Sequence, residues 1–570
     1  MGKNKEARKS MAEILHLEYN FFNTVLYDSY SKDAYTRFTI PKKSGGEREV
    51  FAPNPQLKFV QRRLAKKLSD IYREENSCKR SFENVSHGFE KNCNILTNSR
   101  IHKRKRYILN LDISNFFDSF NFGRVRGFFI KNKYFKFSEE QATIIAQLTC
   151  YDGKLPQGAP TSPLIANLIF NIVDMRIIKL AKKYRLNYTR YADDLSFSTN
   201  NRKFGSDYPK FINQIEYLLD KSGFKINNSK TRFQEHNRRQ EVTGIIVNDK
   251  LNAKKTYIKD TRAMANSLYC NGEYFLNSKN KKGDLETLES RFSFINQIDW
   301  YNNKIEYKLN SAKCENNYMN RLNKREKQFQ TFLFYKHFYN PSKVTLVTEG
   351  STDILHIKAA LKKHYKQYPN LIKKNGTNYI YEIKFLKRTK RLRYFFGIVE
   401  DGANTMINIW NHYKGDHHCT NIHEALNRKF KFQQGDVKRK PVILIFDNEQ
   451  KCSKSSAKKP LKEFLRSTKL EMDNNEISKH LCSNLYLQTI PLLEGMNECE
   501  IEDLYEEDVL KMKKDGKSFN KNSEENTNLY FGKKIFANHI YNNYKNIDFS
   551  NFIPLLDCIE KIVTDSNNAC

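Results

Sequence analysis

One stretch constrains this chain more than any other: Asn187 to Thr199, NYTRYADDLSFST. Tyr188, Arg190, Leu195, Phe197 and Thr199 suggest two short strands, with Ala192-Asp193-Asp194 at the turn between them. Adjacent carboxylates at a turn repel each other unless a cation lies between them. Hard divalent ions such as Mg²⁺ take oxygen ligands from one or two carboxylates and the rest from water and substrate phosphates. The bland alternative is a solvated Asp-Asp turn, which is common. The rest of the chain has to decide between them.

A third carboxylate stands far upstream. Tyr107 to Ile113 has the composition of a buried strand, and Asp112 falls at its end, where an apolar setting makes a lone charge costly unless it is solvated or metal-bound. An N-cap for the next helix is the competing role. Phe117, five residues on, places a large ring near whatever Asp112 holds. Residues 5–30 carry Met11, Ile14, Leu15, Phe21, Phe22 and Val25 at helical spacing. Tyr35 to Asn54 then alternates around Gly45-Gly46 as a basic hairpin, whose Lys42, Lys43 and Arg48 can fold over a triphosphate. A helix follows over Leu57–Tyr72, and another, strongly apolar, opens near Ser162 after the Gln157-Gly158 loop. Beyond the YADD turn come a helix over Tyr208–Ser222 and the segment GFKINNSKTRF, where Lys230 is either a phosphate contact or proton donor, or an ordinary surface lysine.

Charge points the same way. There are 98 Lys and Arg against 64 Asp and Glu, a net charge of +34 with a pI near 9.5. That surplus is the footprint of a protein that grips a phosphate backbone. The 40 Phe and 32 Tyr supply flat rings for base stacking, although many must be core. Short basic runs at Lys103–Arg106, Lys387–Arg393 and Lys438–Lys440 read singly as solvated faces. The eleven cysteines form no C-x-x-C pair, which argues against a zinc ribbon or a disulfide framework. No apolar run reaches the roughly 20 residues of a membrane span, and no signal peptide opens the chain. A soluble, cytoplasmic protein is expected.

In order, IPKKSGGEREV, LDISNFF, LPQGAPTSP, YADD, GFKINNSKT and VTG resemble the motif series of a reverse transcriptase, and more narrowly of bacterial retron reverse transcriptases. The narrower likeness rests on Asn98-Ser99-Arg100-Ile101-His102, similar to the family's N-A-x-x-H element with Ser for Ala, and on Val242-Thr243-Gly244. The resemblance covers roughly residues 10 to 330. It implies an α+β right-hand polymerase with fingers and palm over 1–250 and a helical thumb over 251–338. Asp112, Asp193 and Asp194 would hold two Mg²⁺ ions for phosphoryl transfer. Arg48, Phe117, Gln157 and Lys230 would meet the incoming dNTP, Phe117 excluding a ribose 2′-OH. Asn98, His102, Val242, Thr243 and Gly244 would bind a structured noncoding RNA, part of which is copied into a branched RNA–DNA hybrid (msDNA).

Polymerase motifs stop near 335, and a Pro341-marked boundary follows. Val344 to Val347 is a strand ending in Glu349-Gly350, with a helix stripe at Ile354, Ile357 and Leu361. A second apolar strand, in KPVILIFDNEQ, ends in Asp447-Asn448-Glu449. Continuous apolar strands alternating with helices predict a parallel α/β sheet whose ligands gather at the C-terminal strand ends. Glu349, Asp447 and Glu449 would meet there as a second hard-cation site. This arrangement resembles the Toprim domain of primases, topoisomerases and overcoming-lysogenisation-defect nucleases. Asp353 fits the nuclease branch's E-G-x-x-D, Glu449 replaces the usual second Asp, and Ile501-Glu502-Asp503-Leu504 is similar to a distal acidic segment. The likeness implies one or two further Mg²⁺ ions on Glu349, Asp353, Asp447 and Glu449, and a nucleic-acid substrate.

Phe396 to Ile409 is expected to give an intervening strand, turn and helix. His412, His417, His418, Cys419 and His423 read as a polar loop rather than zinc ligands. The Toprim-like domain is placed at 339–510 and a C-terminal extension at 511–570, flexible or variable over 511–550. The whole describes a retron reverse transcriptase fused to a Toprim nuclease-like effector in anti-phage defence, with homo-oligomers allowed. The alternatives are an abortive-infection-type enzyme making unbranched DNA, and a Toprim half that only binds or assembles.

Overall fold

Apolar residues at helical spacing open the chain. Met11, Ala12 and Leu15 are buried along and just past α1 (Gly2–Ile14), and Phe22, Val25 and Leu26 on α2 (Tyr19–Asp28). The single helix expected over 5–30 is broken because His16 takes left-handed backbone (φ 53°) and Glu18 starts afresh by accepting the Asn20 and Phe21 N–H groups. The computed structural model describes all residues except 1, 30, 43–44, 78–84, 277–280, 307–321, 399–402, 416–419, 431–438, 450–458, 474–475, 522–528 and 569–570. It divides into two compact units, Met1–Lys255 with Ile298–Asn302, and Thr256–Gln297 with Asn303–Cys570.

In the first unit the basic hairpin forms as β1 (Tyr35–Pro41) and β2 (Glu47–Pro53), with Ile40 opposite Arg48; Lys43 lies outside the described residues. Then come α3 (Pro55–Ser77), α4 (Ile95–Ile101), β3 (Tyr107–Ser114), α5 (Phe122–Lys131), α6 (Glu139–Thr149) and α7 (Ser162–Lys183). The YADD segment is β4 (Asn187–Tyr191) and β5 (Asp194–Thr199), followed by α8 (Phe204–Lys221), β6 (Lys225–Ile226), β7 (Arg232–Glu235), β8 (Glu241–Val242) and β9 (Ile245–Ile246). An antiparallel sheet runs β4-β5-β3-β6, with β7 also on β3. Leu109 and Leu111 of β3, facing Phe197 and Leu195 of β5, are fully buried and join one core with Phe170 of α7 and Ile215 of α8. Each such side chain contributes about 1.5–3 kcal/mol. The strand period of two then turns Asn110, Asp112, Asp194 and Ser196 to the opposite face.

The second unit opens with α9 (Lys255–Asn271), the small hairpin β10 (Phe275–Leu276) and β11 (Lys281–Lys282), α10 (Leu285–Glu306) and α11 (Lys324–Phe334), which ends in a π-turn over Tyr335–Tyr339. There follow β12 (Thr345–Thr348), α12 (Asp353–Lys363), β13 (Ile372–Asn375), β14 (Asn378–Tyr381), β15 (Lys384–Phe385), α13 (Lys390–Phe396), α14 (Ala403–Lys414) and α15 (Ile422–Asn427). Next are β16 (Val442–Phe446), α16 (Pro460–Thr468), β17 (Ser478–Cys482), β18 (Leu485–Thr489), α17 (Glu507–Leu510), β19 (Lys513–Lys514), β20 (Lys517–Phe519), β21 (Tyr530–Phe531), α18 (Lys533–Asn543) and α19 (Ile553–Asn568).

The main sheet is ordered β15-β12-β16-β18-β17, parallel except for β17. Both faces are covered, which is why every residue of β12 and β16 is buried. Val442, Leu444 and Phe446 face a core with Phe329, Phe395, Met406 and Phe464, while Ile443 and Ile445 face another with Ile357, Phe536, Ile540 and Leu555. Met264, Phe292 and Phe332, from the segment expected to be a thumb, share the first of these cores.

Three expectations are corrected here. Phe396 ends a helix rather than starting a strand, because Gly397 (φ 64°) caps α13. Much of 529–568 is built into the core through Phe531, Phe536, Phe549, Phe552 and Ile559, rather than running as a flexible extension. His412 is a buried residue of α14 and His423 stacks on Tyr413, so neither sits in a polar loop; His417, His418 and Cys419 lie outside the described residues. No helix among the described residues is long and apolar enough to cross a membrane.

Candidate functional site

The antiparallel register sets Asp112 directly opposite Asp194, with Asp193 in the turn beside them. Like charges facing each other across strands destabilise a sheet unless something positive intervenes. Here Lys230 intervenes, its Nζ 3.0 Å from both Asp112 carboxylate oxygens. Burial, then Asp193 and Asp112, push the Asp194 carboxyl up to about 7, although its rim is open to water, which tempers the effect. Asp193 is raised by burial and by Asp112, and lowered by the charges of Lys230 and Arg48. So three carboxylates, Lys230 and Arg48 share one electrostatic neighbourhood.

Two of the expected nucleotide contacts lie around it. Gln157 accepts the Phe51 N–H at 2.7 Å through its backbone carbonyl, and Gly158 (φ 115°) fits only because a Cβ there would lie 2.7 Å from the Phe51 carbonyl oxygen. Phe117 stands on the turn after β3, edge-on to Phe116.

The turn itself is held from behind. Arg190 is fully buried, and its guanidinium donates to both oxygens of Asp174, to Asn167 Oδ1 and to the Ala192 carbonyl. Tyr188 donates to Asp174 as well, at 2.7 Å. Ala192 adopts φ 55°, a conformation that L-residues seldom take. None of this support was visible as a motif; an Arg inside a strand pattern was the only hint.

The two retron-like segments, about 145 positions apart, meet. Ser99 Oγ donates to the Val242 carbonyl at 2.9 Å and touches Thr243 Oγ1 at 3.2 Å, and Asn98 Nδ2 lies 3.5 Å from Thr243 Oγ1. His102 bridges Ser198 of β5 and Thr189 of β4, both at 2.7 Å. Asn98, His102 and Val242 are each 0% exposed. With no accessible surface they do not meet RNA directly as expected: His102 braces the β4–β5 hairpin from within, while Asn98 and Val242 pack around the Ser99–Thr243 contact. Thr243 (φ 46°) and Gly244 (φ 83°) form the exposed tip of the same turn.

A second acidic centre lies at the C-terminal ends of β12 and β16. Glu349 Oε2 accepts the Asp447 N–H at 3.4 Å, and Asp353 accepts the Gly350 N–H at 2.7 Å. Burial drives Glu349 up to about 7, reinforced by Glu449 and Asp353; Asp447 and Asp353 are raised as well, and Glu449 reaches about 7 mainly through burial. Residues that no strand-end pattern could reveal complete it. Arg388 donates to the Glu349 carbonyl at 2.7 Å, and Lys533 of α18 reaches Glu500 (3.0 Å) and Glu502 (3.1 Å).

Oxygen donors alone make up both centres, and Glu449 Oε2 and Glu502 Oε1 are buried without a partner, which suits a hard cation in kind. In position the fit is incomplete. Among the described residues no three His, Cys, Asp or Glu side chains close around one point, and lysines stand on Asp112, Glu500 and Glu502.

The family described as "Reverse transcriptase (RNA-dependent DNA polymerase)" matches residues 40–247. Among curated relatives, the retron Ec86 reverse transcriptase of Escherichia coli is 31% identical over 47% of this chain and 78% of its own. The retron Mx65 reverse transcriptase of Myxococcus xanthus is 34% identical over 40% of this chain and 55% of its own. Among solved structures, Candida albicans telomerase with a fragment of telomeric RNA aligns over 58% of this chain and 64% of its own at 10% identity, with a TM-score of only 0.29. With its aspartates, its Asn98–His102 segment and its Val242–Gly244 turn set as described, and with the Ec86 enzyme matched over most of its length, the chain belongs to the retron reverse transcriptases, RNA-directed DNA polymerases that act with a noncoding RNA template and dNTPs.

Proposed function

We propose that the first unit copies part of its own structured noncoding RNA into a branched RNA–DNA hybrid, and that the second unit is a Toprim-like, Mg²⁺-dependent nuclease effector serving anti-phage defence. The observation that carries the polymerase reading is the cross-strand pairing of Asp112 with Asp194 beside Asp193. Lys230 on Asp112 and the raised Asp194 carboxyl relieve only part of the repulsion, which leaves the cluster suited to a further cation. Mg²⁺ bound there by Asp112, Asp193 and Asp194 would supply Lewis-acid stabilisation of the attacking and leaving oxygens. Lys230, which stands on Asp112, would meet the phosphates or protonate the leaving group, and Arg48 would offer a forked donor pair to the triphosphate. Phe117 guards the sugar, and the Thr243–Gly244 tip faces the RNA.

For the second unit, support comes from Glu349, Asp353, Asp447 and Glu449 at the ends of adjacent parallel strands, where such sheets bind ligands. Arg388, anchored on the Glu349 backbone, would accompany a phosphodiester. A binding module without chemistry is favoured by one specific observation, that Lys459 and Lys533 already pair with acids of this centre.

One set of variants tests both halves. Asp193→Asn should lower primer extension on the co-purified RNA by at least about a thousandfold while leaving RNA bound. Glu349→Ala should leave primer extension intact and remove Mg²⁺-dependent cleavage of DNA, RNA or tRNA. An active Asp193→Asn enzyme refutes the metal role. A linear rather than 2′–5′ branched product refutes branching, and absence of cleavage by the wild type selects the binding module.

A further inference from the structure

The loop before α4 holds a residue that the mechanism above does not use. Val85 to His87 runs beside β4 as an added strand: Arg190 N–H donates to the Val85 carbonyl and His87 N–H to the Arg190 carbonyl, each at 2.7 Å. Asn167 donates to the Gly88 carbonyl at 2.8 Å and lies 3.3 Å from Glu90 Oε1. Gly88 presses directly against the catalytic turn, since a Cβ there would lie 2.5 Å from the Ala192 nitrogen. The backbone on both sides of position 89 is therefore fixed.

At that position stands Phe89, with φ 62° and 55% of its surface exposed. A non-glycine residue in left-handed backbone is strained, and a phenyl ring in water forgoes burial. Both penalties fall on one residue, one peptide unit from the glycine that touches Ala192. Among the described residues the ring has no aromatic neighbour, unlike most phenylalanines of this unit, so packing does not account for it. An exposed aromatic ring on a fixed backbone beside a phosphoryl-transfer centre suits a nucleobase, because every base offers a π-face and stacking tolerates sequence.

We infer that Phe89 is a stacking platform for a nucleobase of the primer–template at the Ala192–Asp193 turn. The inference rests on the polymerase reading and adds to it a binding residue outside the motif series. Stacking of one base contributes a five- to hundredfold factor in affinity.

The test uses the full chain without dNTPs and an RNA template annealed to a DNA primer, with 2-aminopurine either at the unpaired template base or at the primer 3′ end. Wild type should quench one of the two probes on binding, and which one quenches identifies the strand that supplies the base. Phe89→Gly, which relieves the left-handed strain and so does not threaten folding, should lose that quenching and weaken binding five- to a hundredfold, with primer–template KM rising and kcat nearly kept. Phe89→Trp should restore both. Unchanged affinity and quenching in Phe89→Gly overturn the inference even where Asp193→Asn is inactive, whereas an active Asp193→Asn enzyme overturns the polymerase reading whatever Phe89 does.

Discussion

Arg190 carries a permanent charge into the buried core, and three side chains and one backbone carbonyl make that tolerable. Its guanidinium meets Asp174 in a forked pair, lies over the Phe170 ring with its Cζ 4.7 Å from the centroid, and spends its remaining donors on Asn167 and the Ala192 carbonyl. A buried pair like this adds little net stability against apolar replacements, but removing one partner strands the other charge. Arg190→Met should thus cost about 3–5 kcal/mol in urea unfolding of the first unit, and Arg190→Met with Asp174→Leu should recover much of it. If the single variant unfolds at the wild-type urea concentration, the pair is not what secures the hairpin. At the same scale, Gly88 and Gly158 are sites of close approach, to Ala192 and to β2 respectively, where any side chain meets backbone.

Among elements, the β4–β5 hairpin that carries Asp193 and Asp194 depends on neighbours that come from both directions along the chain. α4 pins it through His102, while β8 is tied to β3 because Asn110 donates to the Glu241 carbonyl at 2.8 Å and accepts from Ser196 at 2.9 Å. Elsewhere α18 plays an equivalent part. It packs on α12, buries Phe536 and Ile540, and brings Lys533 to the second acidic centre. Deleting residues 529–570 removes eleven side chains of this core, each worth about 1.5–3 kcal/mol. That exceeds the whole stability of an ordinary domain, about 5–15 kcal/mol. The truncated chain should keep the unfolding transition of the first unit and lose that of the second; a persisting cooperative second transition would count against the core assignment.

For the molecule as a whole, the net charge of +34 governs partners, while the interior governs response to acid. Burial holds the imidazoles of His102, His337 and His356 down to about 3, helped by His87 and Lys105 around the first and by nearby lysines around the others. Their folded pKa lies below the unfolded value of about 6.5, so each contributes stability in full above that pH and loses it as pH falls toward 3. The slope reaches about 1.4 kcal/mol per pH unit per histidine. Glu349, Glu449 and Asp194 act in the opposite sense, their contribution being present below about 4.5 and lost as pH rises through 7. Comparing variants separates the two. His102→Gln should flatten the pH dependence of first-unit stability between 6.5 and 4, measured by urea titration, and an unchanged slope would show that His102 titrates normally.

Sequence alone determined the periodic and the contiguous. The strand–turn–strand of Asn187–Thr199, the basic hairpin, the apolar helix from Ser162 and the apolar strands ending in Glu349 and Asp447 were legible because strand and helix periods are local properties of the chain. It also singled out Asp112, Asp193 and Asp194, which the fold brings together, and the strand-end acids Glu349 and Asp447, since residue type and motif order mark such positions. Tertiary structure alone decided who meets whom. The inward pointing of Asn98 and His102, the meeting of Ser99 with Val242, the Arg190–Asp174 pair and the arrival of Lys533 all join residues between 16 and 143 positions apart or set them inside the core. No local pattern records such contacts, because burial and pairing depend on how layers pack.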